Sequence, residues 1–399
     1  MSLPSVETAR ATMLSTIIPL AADAVRLTEA DGCWLAEAVT AIRDQPPYDA
    51  SAMDGWAVRG ADVRPGARLE IIGESAAGHD AGVSLQPGQA ARIFTGAALP
   101  PGADRVVIQE EARRDGETVV IDADPEAPAW VRTQGCDFRA DTVLLEAGTQ
   151  LNPWRLALAA SAGRATVICR RRPLVGLLST GDELVAPGTP AGPHQIYDAC
   201  APALAAFVRR CGGTAVPLGS ARDDDASILA AIDAGVFDLL VTVGGASVGD
   251  HDRVKPAIRS AGGILSVEGV AVRPGKPVWF ARLADGRPLL GLPGNPASAL
   301  VCAELFLAPL IAALQGGSWR VEAERARLDG ALPANGPREH YMRAIVHTGA
   351  DGARRVRPMG DQDSSLVTVM AAANGLLRRL PGAPALAAGA EAEVLRPLG

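Results

Sequence analysis

Between residues 173 and 317, short apolar runs alternate with segments of helical pattern, and this alternation limits the possible folds more than any other feature of the chain. The runs LVGLLST, TAVPLG, DLLVTVGG and ILSVEGVAV are typical of buried strands, and helices are predicted at about 200–211, 225–234, 253–261 and 297–315. Alternating strands and helices favour right-handed crossovers around a parallel sheet. We therefore predict a central, mainly parallel α/β domain.

The chain on either side of this domain has a different pattern. Residues 5–18 predict an amphipathic helix capped by Ser5 and ended before Pro19. From Asp54 to about Gln134, β-type runs alternate with Pro-Gly and Asp-Gly turns, which predicts a small β domain. Strand-like runs after Ser318 predict a second one. Several domains are expected for 399 residues.

Composition excludes several classes of protein. Apolar residues make up 48% of the chain and charged residues 21%, as in soluble globular proteins. The net charge is −7 and no cluster of Lys and Arg is long enough to follow a phosphate backbone, so we expect no nucleic-acid partner.

The cysteines and the apolar runs indicate in which cellular compartment the protein is expected. The six cysteines form no CxxC pair, which argues against a disulfide framework or a structural zinc site and favours reduced thiols in the cytoplasm. We expect no signal peptide, because the N-terminus lacks a basic start followed by an apolar run. We expect no membrane span, because no run reaches ~18 uninterrupted apolar residues.

A glycine-rich loop follows the predicted strand 238–243. It reads Gly244-Gly245-Ala246-Ser247-Val248-Gly249-Asp250-His251-Asp252, and a helix is predicted from about Arg253. Glycines let the backbone approach an anion, and a helix N-terminus adds N–H donors. The spacing is not that of a Walker-type loop. The alternative is a tight turn with Asp252 as a helix cap.

A second loop, Thr180-Gly181-Asp182-Glu183, also follows a predicted strand of this sheet. Its carboxylates could hold a hydrated Mg²⁺, which usually takes one or two carboxylates and completes its shell with water and substrate oxygens. For Asp182, ordinary turn chemistry is an equal alternative.

Two proline-rich loops complete the candidate site. In the segment 273–277, prolines stiffen the backbone around Lys276, which suits the binding of an anion, with a solvated lysine as the alternative. In the segment 292–298, Asn295 is a predicted helix cap and Pro296 a first-turn residue, so structure alone already explains this loop.

In order, the motifs SAMDGWA, FTGAALPPGAD, GCDFR, LLSTGDEL, GGASVGDHD, RPGKP, GLPGNPAS, QDSS and AAANGL occur along the chain. This series resembles the molybdopterin molybdenumtransferase family, to which the E domain of gephyrin also belongs. The match extends from about residue 3 to 395.

The resemblance implies an elongated homodimer with four domains per subunit. They are a discontinuous N-terminal domain (1–53 and 137–172), an inserted β domain (54–136), a central molybdopterin-binding α/β domain (173–317) and a C-terminal β barrel (318–399). The overall fold class is thus α/β plus β.

The resemblance also implies a reaction in which adenylated molybdopterin and molybdate give molybdenum cofactor and AMP, with Mg²⁺. An upstream adenylyltransferase and recipient molybdoenzymes are the implied protein partners.

The roles that the resemblance implies fall on matching motif positions. The implied catalytic residues are Asp54, Thr95, Asp141, Glu183, Asp252 and Lys276, and a dimer would bring the first three to the partner's cleft. The implied metal ligands are Glu183, Asp250 and Asp252. The implied substrate-binding residues are Thr180, Gly181, Gly244, Gly245, Ser247, Gly249, Asp250, Arg273, Pro293, Pro296, Ser298 and Ser365, with Ser364 as an alternative to the last.

Some positions depart from the family pattern. Arg273 stands where Lys is usual, Ala199-Cys200 replaces a common Ser-Asn, Ala140 replaces a frequent Gly, and His251 replaces a common Tyr. Because polar groups are lost at 199–200, one alternative function is that of a non-catalytic pterin-binding scaffold or carrier. A second alternative is a molybdopterin adenylyltransferase, whose stand-alone form resembles residues 173–317 alone.

Overall fold

The computed structural model describes residues 3–79, 81–245, 253–319 and 321–397. Helix α1 (Val6–Leu14) begins as predicted, with the Thr8 backbone N–H donating to the Ser5 hydroxyl at 3.1 Å. It ends at Leu14, earlier than predicted, because the hydroxyl of Thr16 bonds to the Met13 carbonyl and competes with further helix. Its buried face, made by Val6, Ala9 and Met13, packs into the core of the central sheet.

The N-terminal part is built from strands that pair with partners eighty or more residues later. Strands β1 (Ala22–Arg26), β2 (Val39–Thr40) and β3 (Ala50–Ser51) form no sheet with one another. A 3₁₀ turn at Leu27–Glu29 follows β1.

An inserted β domain follows, with a six-stranded sheet in the order β7-β4-β6-β5-β9-β8. Apolar residues of alternating strand positions, such as Trp56, Leu69 and Val107, are buried on one of its faces. Its strands are β4 (Gly55–Val58), β5 (Ala67–Ser75), β6 (Gln89–Ile93), β7 (Arg105–Ile108), β8 (Ala112–Asp115) and β9 (Thr118–Ile121).

The chain then returns to the N-terminal strands. Strands β10 (Val131–Arg132), β11 (Val143–Leu145) and β12 (Thr166–Arg170) pair antiparallel with β3, β2 and β1 respectively. Helix α2 (Pro153–Ser161) lies between β11 and β12, capped by the Asn152 side chain. Returning strands close a small core around Leu35, Leu151 and Cys169.

The central domain contains a six-stranded sheet in the order β16-β13-β17-β21-β20-β18, in which the first four strands are parallel. Its apolar strands are buried on both faces, as expected for a parallel sheet covered by helices. The elements in chain order are β13 (Leu174–Thr180), β14 (Leu184–Val185), β15 (Ile196–Tyr197), α3 (Cys200–Arg210), β16 (Thr214–Ala221), α4 (Asp225–Asp233), β17 (Leu239–Val243), α5 (Val254–Ser260), β18 (Ile264–Val267), β19 (Val272–Arg273), β20 (Trp279–Arg282) and β21 (Pro288–Leu292).

A long helical segment, 296–314, completes this domain as α6 (Pro296–Cys302), a π-helical turn (Ala303–Leu307) and α7 (Ala308–Leu314). Pro309 lacks the N–H that a regular helix requires, and the wide turn lies just before it. By length and composition the segment could cross a membrane, with a mean hydropathy of 2.1, but 89% of the tested window is buried inside the protein. Its apolarity is therefore explained by packing in the core.

The C-terminal part is a closed β barrel. Strands β22 (Ala323–Leu328), β23 (Glu339–Thr348), β24 (Arg354–Pro358), β25 (Gly375–Arg379) and β26 (Glu391–Leu395) form a ring, because β23 pairs with both β24 and β25. Helix α8 (Val367–Ala372) precedes β25. Strand β19 of the central region pairs with β23 and joins the two domains. The predicted fold class, α/β plus β, is confirmed.

Candidate functional site

A cavity of about 980 Å³ lies at the carboxyl ends of β13, β17 and β21. This is the edge at which open parallel sheets bind ligands. The barrel closes one side, because the segment 362–367 also lines the cavity. Ligands bound here would contact both the central domain and the C-terminal barrel.

Eleven of the predicted site residues line this cavity, although they come from five separate segments. They are Thr180, Gly181, Glu183, Gly244, Gly245, Arg273, Lys276, Pro293, Pro296, Ser298 and Ser365. Four others, Ser247, Gly249, Asp250 and Asp252, lie outside the described residues, so the helix-cap alternative for Asp252 stays open.

Gly244 and Gly245 form one wall of the cavity, here called the glycine wall, where two backbone segments approach each other closely. Gly244 has a φ of +93°, and a Cβ at this position would lie 2.3 Å from the Thr180 carbonyl oxygen. Its N–H donates to the Leu292 carbonyl at 3.3 Å. Three strand ends therefore meet at a position that only glycine fits.

Asp198 was missed as a site residue, although it ends the Ile-Tyr-Asp strand. It is 7% exposed and accepts hydrogen bonds from the backbone N–H groups of Cys200 and Ala201, both at 3.0 Å, and from the Ser179 hydroxyl. Asp198 thus caps α3 and anchors β15 beside the cavity. An Asp two residues before a predicted helix was the available signal.

Cys200, one of the departures from the family pattern, lies at the cavity wall. Its thiol is buried and donates to the Gly294 carbonyl at 3.6 Å. Burial, with a further contribution from Asp198, raises the pKa of this thiol to about 12. Cys200 is therefore a neutral thiol that contributes shape rather than charge.

The barrel side of the cavity is cationic. Arg273, Lys276 and Arg338 line it, and Arg343 is fully buried behind them. The Arg343 Nη2 donates to the Asp363 carbonyl at 3.1 Å, whereas its Nε and Nη1 have no hydrogen-bond partner. Burial and the neighbouring Arg273 lower the pKa of Arg343.

In the described part of the chain these four cations make no ion pair with a carboxylate, and the opposite charges of Asp361 and Asp363 act on Arg343 more weakly than burial and Arg273 do. Sequence reasoning missed Arg343, because the strand pattern of HYMRAIVH shows only that a residue is polar, and Arg338, because it lies just before this strand and in none of the motifs.

His340 lies within the same cluster. In the strand register it stands opposite Arg273 on β19 and opposite Arg379 on β25. It is 7% exposed and its Nε2 has no hydrogen-bond partner. Burial, then the positive charges of Arg273 and neighbouring arginines, lowers the pKa of His340 to about 4, so the imidazole is neutral at pH 7.

The predicted capping role of Asn295 is corrected by the structure. Asn295 does stand before α6, but its side chain makes no capping hydrogen bond. Its amide instead donates to the Ser364 hydroxyl at 2.9 Å, across the cavity wall. The tertiary contact replaces the cap, because a partner from the barrel lies within reach.

Ser365 is held by its own loop. Its hydroxyl and backbone N–H donate to the Asp363 carboxylate at 2.7 and 2.8 Å, and these bonds lower the pKa of Asp363. The loop is tied to β23 by Gln362, which accepts from the Arg343 backbone N–H at 2.9 Å.

The remaining three predicted residues do not line this cavity. Asp54 accepts hydrogen bonds from the backbone N–H and the hydroxyl of Thr95, at 2.8 and 2.9 Å, and these bonds lower the pKa of Asp54. Asp141 has a φ of +63° and its N–H donates to the Ala41 carbonyl. The structure therefore pairs Asp54 with Thr95 but places all three outside the cavity of their own chain.

A parallel α/β domain with a large cavity at its strand ends, closed on one side by a small barrel, defines a ligand-binding α/β protein. The probable molybdopterin binding domain matches residues 176–313. The MoeA N-terminal region, comprising domains I and II, matches residues 4–163, and the MoeA C-terminal region, domain IV, matches residues 325–396.

Full-length relatives show the same relationship. Molybdopterin molybdenumtransferase from Nostoc sp. is 38% identical, covering 90% of this chain and 84% of the relative. Molybdopterin molybdenumtransferase 2 from Mycobacterium tuberculosis is 37% identical, covering 93% and 94% respectively. The molybdopterin biosynthesis MoeA protein from Pyrococcus horikoshii is 31% identical, with a TM-score of 0.81 over 99% of each chain.

The chain belongs to the MoeA family of molybdopterin molybdenumtransferases. The family predicted from the ordered motifs is thereby confirmed, and with it a transferase of molybdenum cofactor biosynthesis.

Proposed function

We propose that this protein inserts molybdenum from molybdate into adenylated molybdopterin and releases AMP. The observation that carries the proposal is the cationic barrel side of the cavity, lined by Arg273, Lys276 and Arg338, with Arg343 buried behind them. It faces a glycine wall that lets a bulky anionic ligand approach the backbone. Family membership supports the same reaction.

Electrostatics explains why the reaction needs these cations. A substrate diphosphate and a molybdate dianion in one cleft repel each other, and unit charges 4 Å apart still interact by about 4 kcal/mol at an effective dielectric of 20. The guanidinium groups of Arg273 and Arg338 and the Lys276 ammonium, which line the cavity, would neutralise this charge. They would also stabilise the negative charge that develops on the AMP phosphate when a molybdate or water oxygen attacks the pterin phosphate and the bond between the two phosphates breaks.

Mg²⁺ belongs to the proposal as the accompanying cation. Glu183 is exposed and lines the cavity, which fits an ion that takes one or two carboxylates plus phosphate and water oxygens. No group of three possible metal ligands occurs among the described residues, and the other two proposed ligands, Asp250 and Asp252, lie outside them. When bound, Mg²⁺ would supply charge neutralisation between phosphate oxygens.

A homodimer is also part of the proposal. Asp54, Thr95 and Asp141 lie outside their own chain's cavity, although they fall in family motifs, and a second subunit would supply them in trans. The six free cysteines support a reducing compartment, and we propose the cytoplasm.

The test of the reaction is incubation with adenylated molybdopterin, molybdate and Mg²⁺, following AMP release and reconstitution of an apo-molybdoenzyme. We expect AMP together with active cofactor, both strongly reduced in Glu183→Ala and Lys276→Gln. Asp182→Ala is the matched control, since Asp182 is exposed beside Glu183 but does not line the cavity. Release of pyrophosphate would indicate an adenylyltransferase, and tight binding without AMP a carrier.

The test of the dimer is complementation between two inactive variants. A subunit with Asp54→Asn and a subunit with Lys276→Gln would each lack part of the site. If the site is shared, each mixed dimer keeps one intact cleft out of two and so about half of the wild-type activity, and a 1:1 mixture that exchanges subunits freely recovers about a quarter. Absence of recovery in mixtures that contain mixed dimers would refute a shared site.

A further inference from the structure

Tyr197 is an exposed aromatic side chain in a cavity otherwise lined by polar, small and aliphatic residues. Among the described lining residues it is the one aromatic. Aromatic residues make up 4% of the chain, and three of them are exposed: Tyr48, Trp154 and Tyr197. Although the chain has few aromatic residues, one of the three exposed ones lines this cavity.

The backbone around Tyr197 is fixed while its side chain is not buried. The Ile196 N–H donates to the Glu183 carbonyl at 2.8 Å, and the Asp198 N–H donates to the Val185 carbonyl at 2.9 Å. Asp198 is in turn fixed by the N-terminus of α3. The ring is therefore held on a rigid ribbon, and 51% of the residue is accessible.

The neighbours of Tyr197 are apolar. Val185 stands opposite Tyr197 in the ribbon and is half-buried. Ile196, which is 58% exposed, pairs with Leu184, and their side chains alternate to the other face of the ribbon. An exposed aromatic side chain on a rigid ribbon at a cavity is typical of a surface that a ligand covers.

We propose that Tyr197 is a stacking platform for a flat heteroaromatic ring of the substrate. This inference rests on the proposed function, in which the substrate carries two such rings, a pterin and an adenine. The ring stacks on the ribbon while the phosphates reach the cations on the barrel side of the same cavity. Tyr197 thereby sets affinity for the substrate and takes no part in proton transfer.

The experiment measures binding by calorimetry with three probes: AMP, pterin-6-carboxylate and adenylated molybdopterin. The proteins are wild type, Tyr197→Phe, Tyr197→Leu and the control Trp154→Leu, which removes an exposed aromatic residue that does not line the cavity. We expect Tyr197→Phe to bind like wild type within about twofold. Tyr197→Leu is expected to bind adenylated molybdopterin about three- to tenfold more weakly, the range for an aromatic pair beyond area burial.

The two small probes show whether the adenine or the pterin ring stacks. Tyr197→Leu is expected to weaken the binding of only that probe whose ring lies on Tyr197. AMP-release kinetics supply the second readout: KM rises with the dissociation constant while kcat is unchanged. Thermal unfolding of Tyr197→Leu is expected to match wild type, because the side chain is half-exposed.

Two outcomes overturn the stacking platform while the proposed function stands: unchanged substrate binding in Tyr197→Leu, or an equal loss in Tyr197→Phe, which would indicate a hydroxyl contact. A wild-type protein that neither binds adenylated molybdopterin nor releases AMP overturns both proposals.

Discussion

The Asn295 amide donates to the Ser364 hydroxyl at 2.9 Å and so connects the start of α6 in the central domain to a loop of the C-terminal barrel. The same loop accepts a second bond, from the Ala297 N–H to the Ser364 carbonyl at 3.3 Å. Both bonds lie at the cavity wall, so they couple the position of the barrel to the shape of the site.

We expect Asn295→Ala and Ser364→Ala to weaken substrate binding non-additively, because each removes the same hydrogen bond. A double-mutant cycle on substrate dissociation constants should give a coupling energy of about 0.5–1.5 kcal/mol. Additive effects would mean that the contact does not influence the site.

Replacing Gly244 by Ala is expected to disrupt the glycine wall. The new Cβ would lie 2.3 Å from the Thr180 carbonyl oxygen, so the strand ends must move apart. Gly188→Ala is the matched control, since Gly188 has a similar φ of +89° but open space around its Cβ position. We expect about 1 kcal/mol of strain in the control and a clearly larger loss of unfolding midpoint and substrate binding in Gly244→Ala. Equal effects would exclude the collision as the cause.

Asp198→Asn is expected to destabilise the central domain. The carboxylate accepts three hydrogen bonds, and an amide keeps its shape but offers one acceptor oxygen instead of two. We expect a loss of about 1–2 kcal/mol, measured as a lower thermal midpoint and weaker substrate binding. Asp182→Asn, at an exposed turn, should leave both unchanged. A stable Asp198→Asn protein would show that the cap contributes little.

Arg343→Met is expected to separate stability from function. Removing a buried guanidinium with two unpaired nitrogens relieves a desolvation cost, so the thermal midpoint should rise by a few degrees, about 1–2 kcal/mol. Anion binding and AMP release should fall, because the cavity loses a nearby positive charge. Arg354→Met is the contrast, because Arg354 is paired with Glu324 at 3.1 Å and its loss should lower the midpoint. A lower midpoint in Arg343→Met would show that this charge is compensated.

His340 should make stability depend on pH between about 6.5 and 4. Burial and the positive charges of four arginines lower the folded-state pKa of His340 from 6.5 to about 4. The arginines are Arg273 on β19, Arg338 just before β23, Arg343 on β23 and Arg379 on β25. Between pH 6.5 and 4, the unfolded chain therefore binds a proton at His340 that the folded chain does not bind. This contribution to stability is complete above pH 6.5, is lost as pH falls towards 4, and amounts to on the order of 3 kcal/mol at most.

The measurement is the urea unfolding midpoint between pH 7.5 and 4.5 for wild type and His340→Gln. The wild-type midpoint should fall more steeply than that of the variant, whereas exposed His194→Gln should follow wild type. Parallel curves for wild type and His340→Gln would contradict the assignment.

Local signals in the sequence predicted most of the elements correctly. The helices predicted at about 200–211 and 225–234 are observed at Cys200–Arg210 and Asp225–Asp233, because their apolar spacing and turn residues specify a helix wherever they lie. The order of motifs also identified the family. Eleven of the predicted site residues meet in one cavity, since loops after parallel strands lie at one edge of a sheet.

Contacts between distant segments could not be predicted in this way. The amide of Asn295 was assigned to a local cap, and its actual partner lies 69 residues away on the barrel. Arg343 and His340 read as ordinary polar strand residues, and only the register with β19 and β25 brings the arginines around them.

By itself, the sequence determined the types of the elements, the parallel central sheet and the family, because these depend on periodicity and on motif order along the chain. The tertiary structure alone decided which arginines gather at the cavity, which thiol is buried at its wall, and that Asp54 and Thr95 pair away from their own chain's cavity. Those properties depend on burial and on the meeting of remote segments, which the strand register and the closure of the barrel establish.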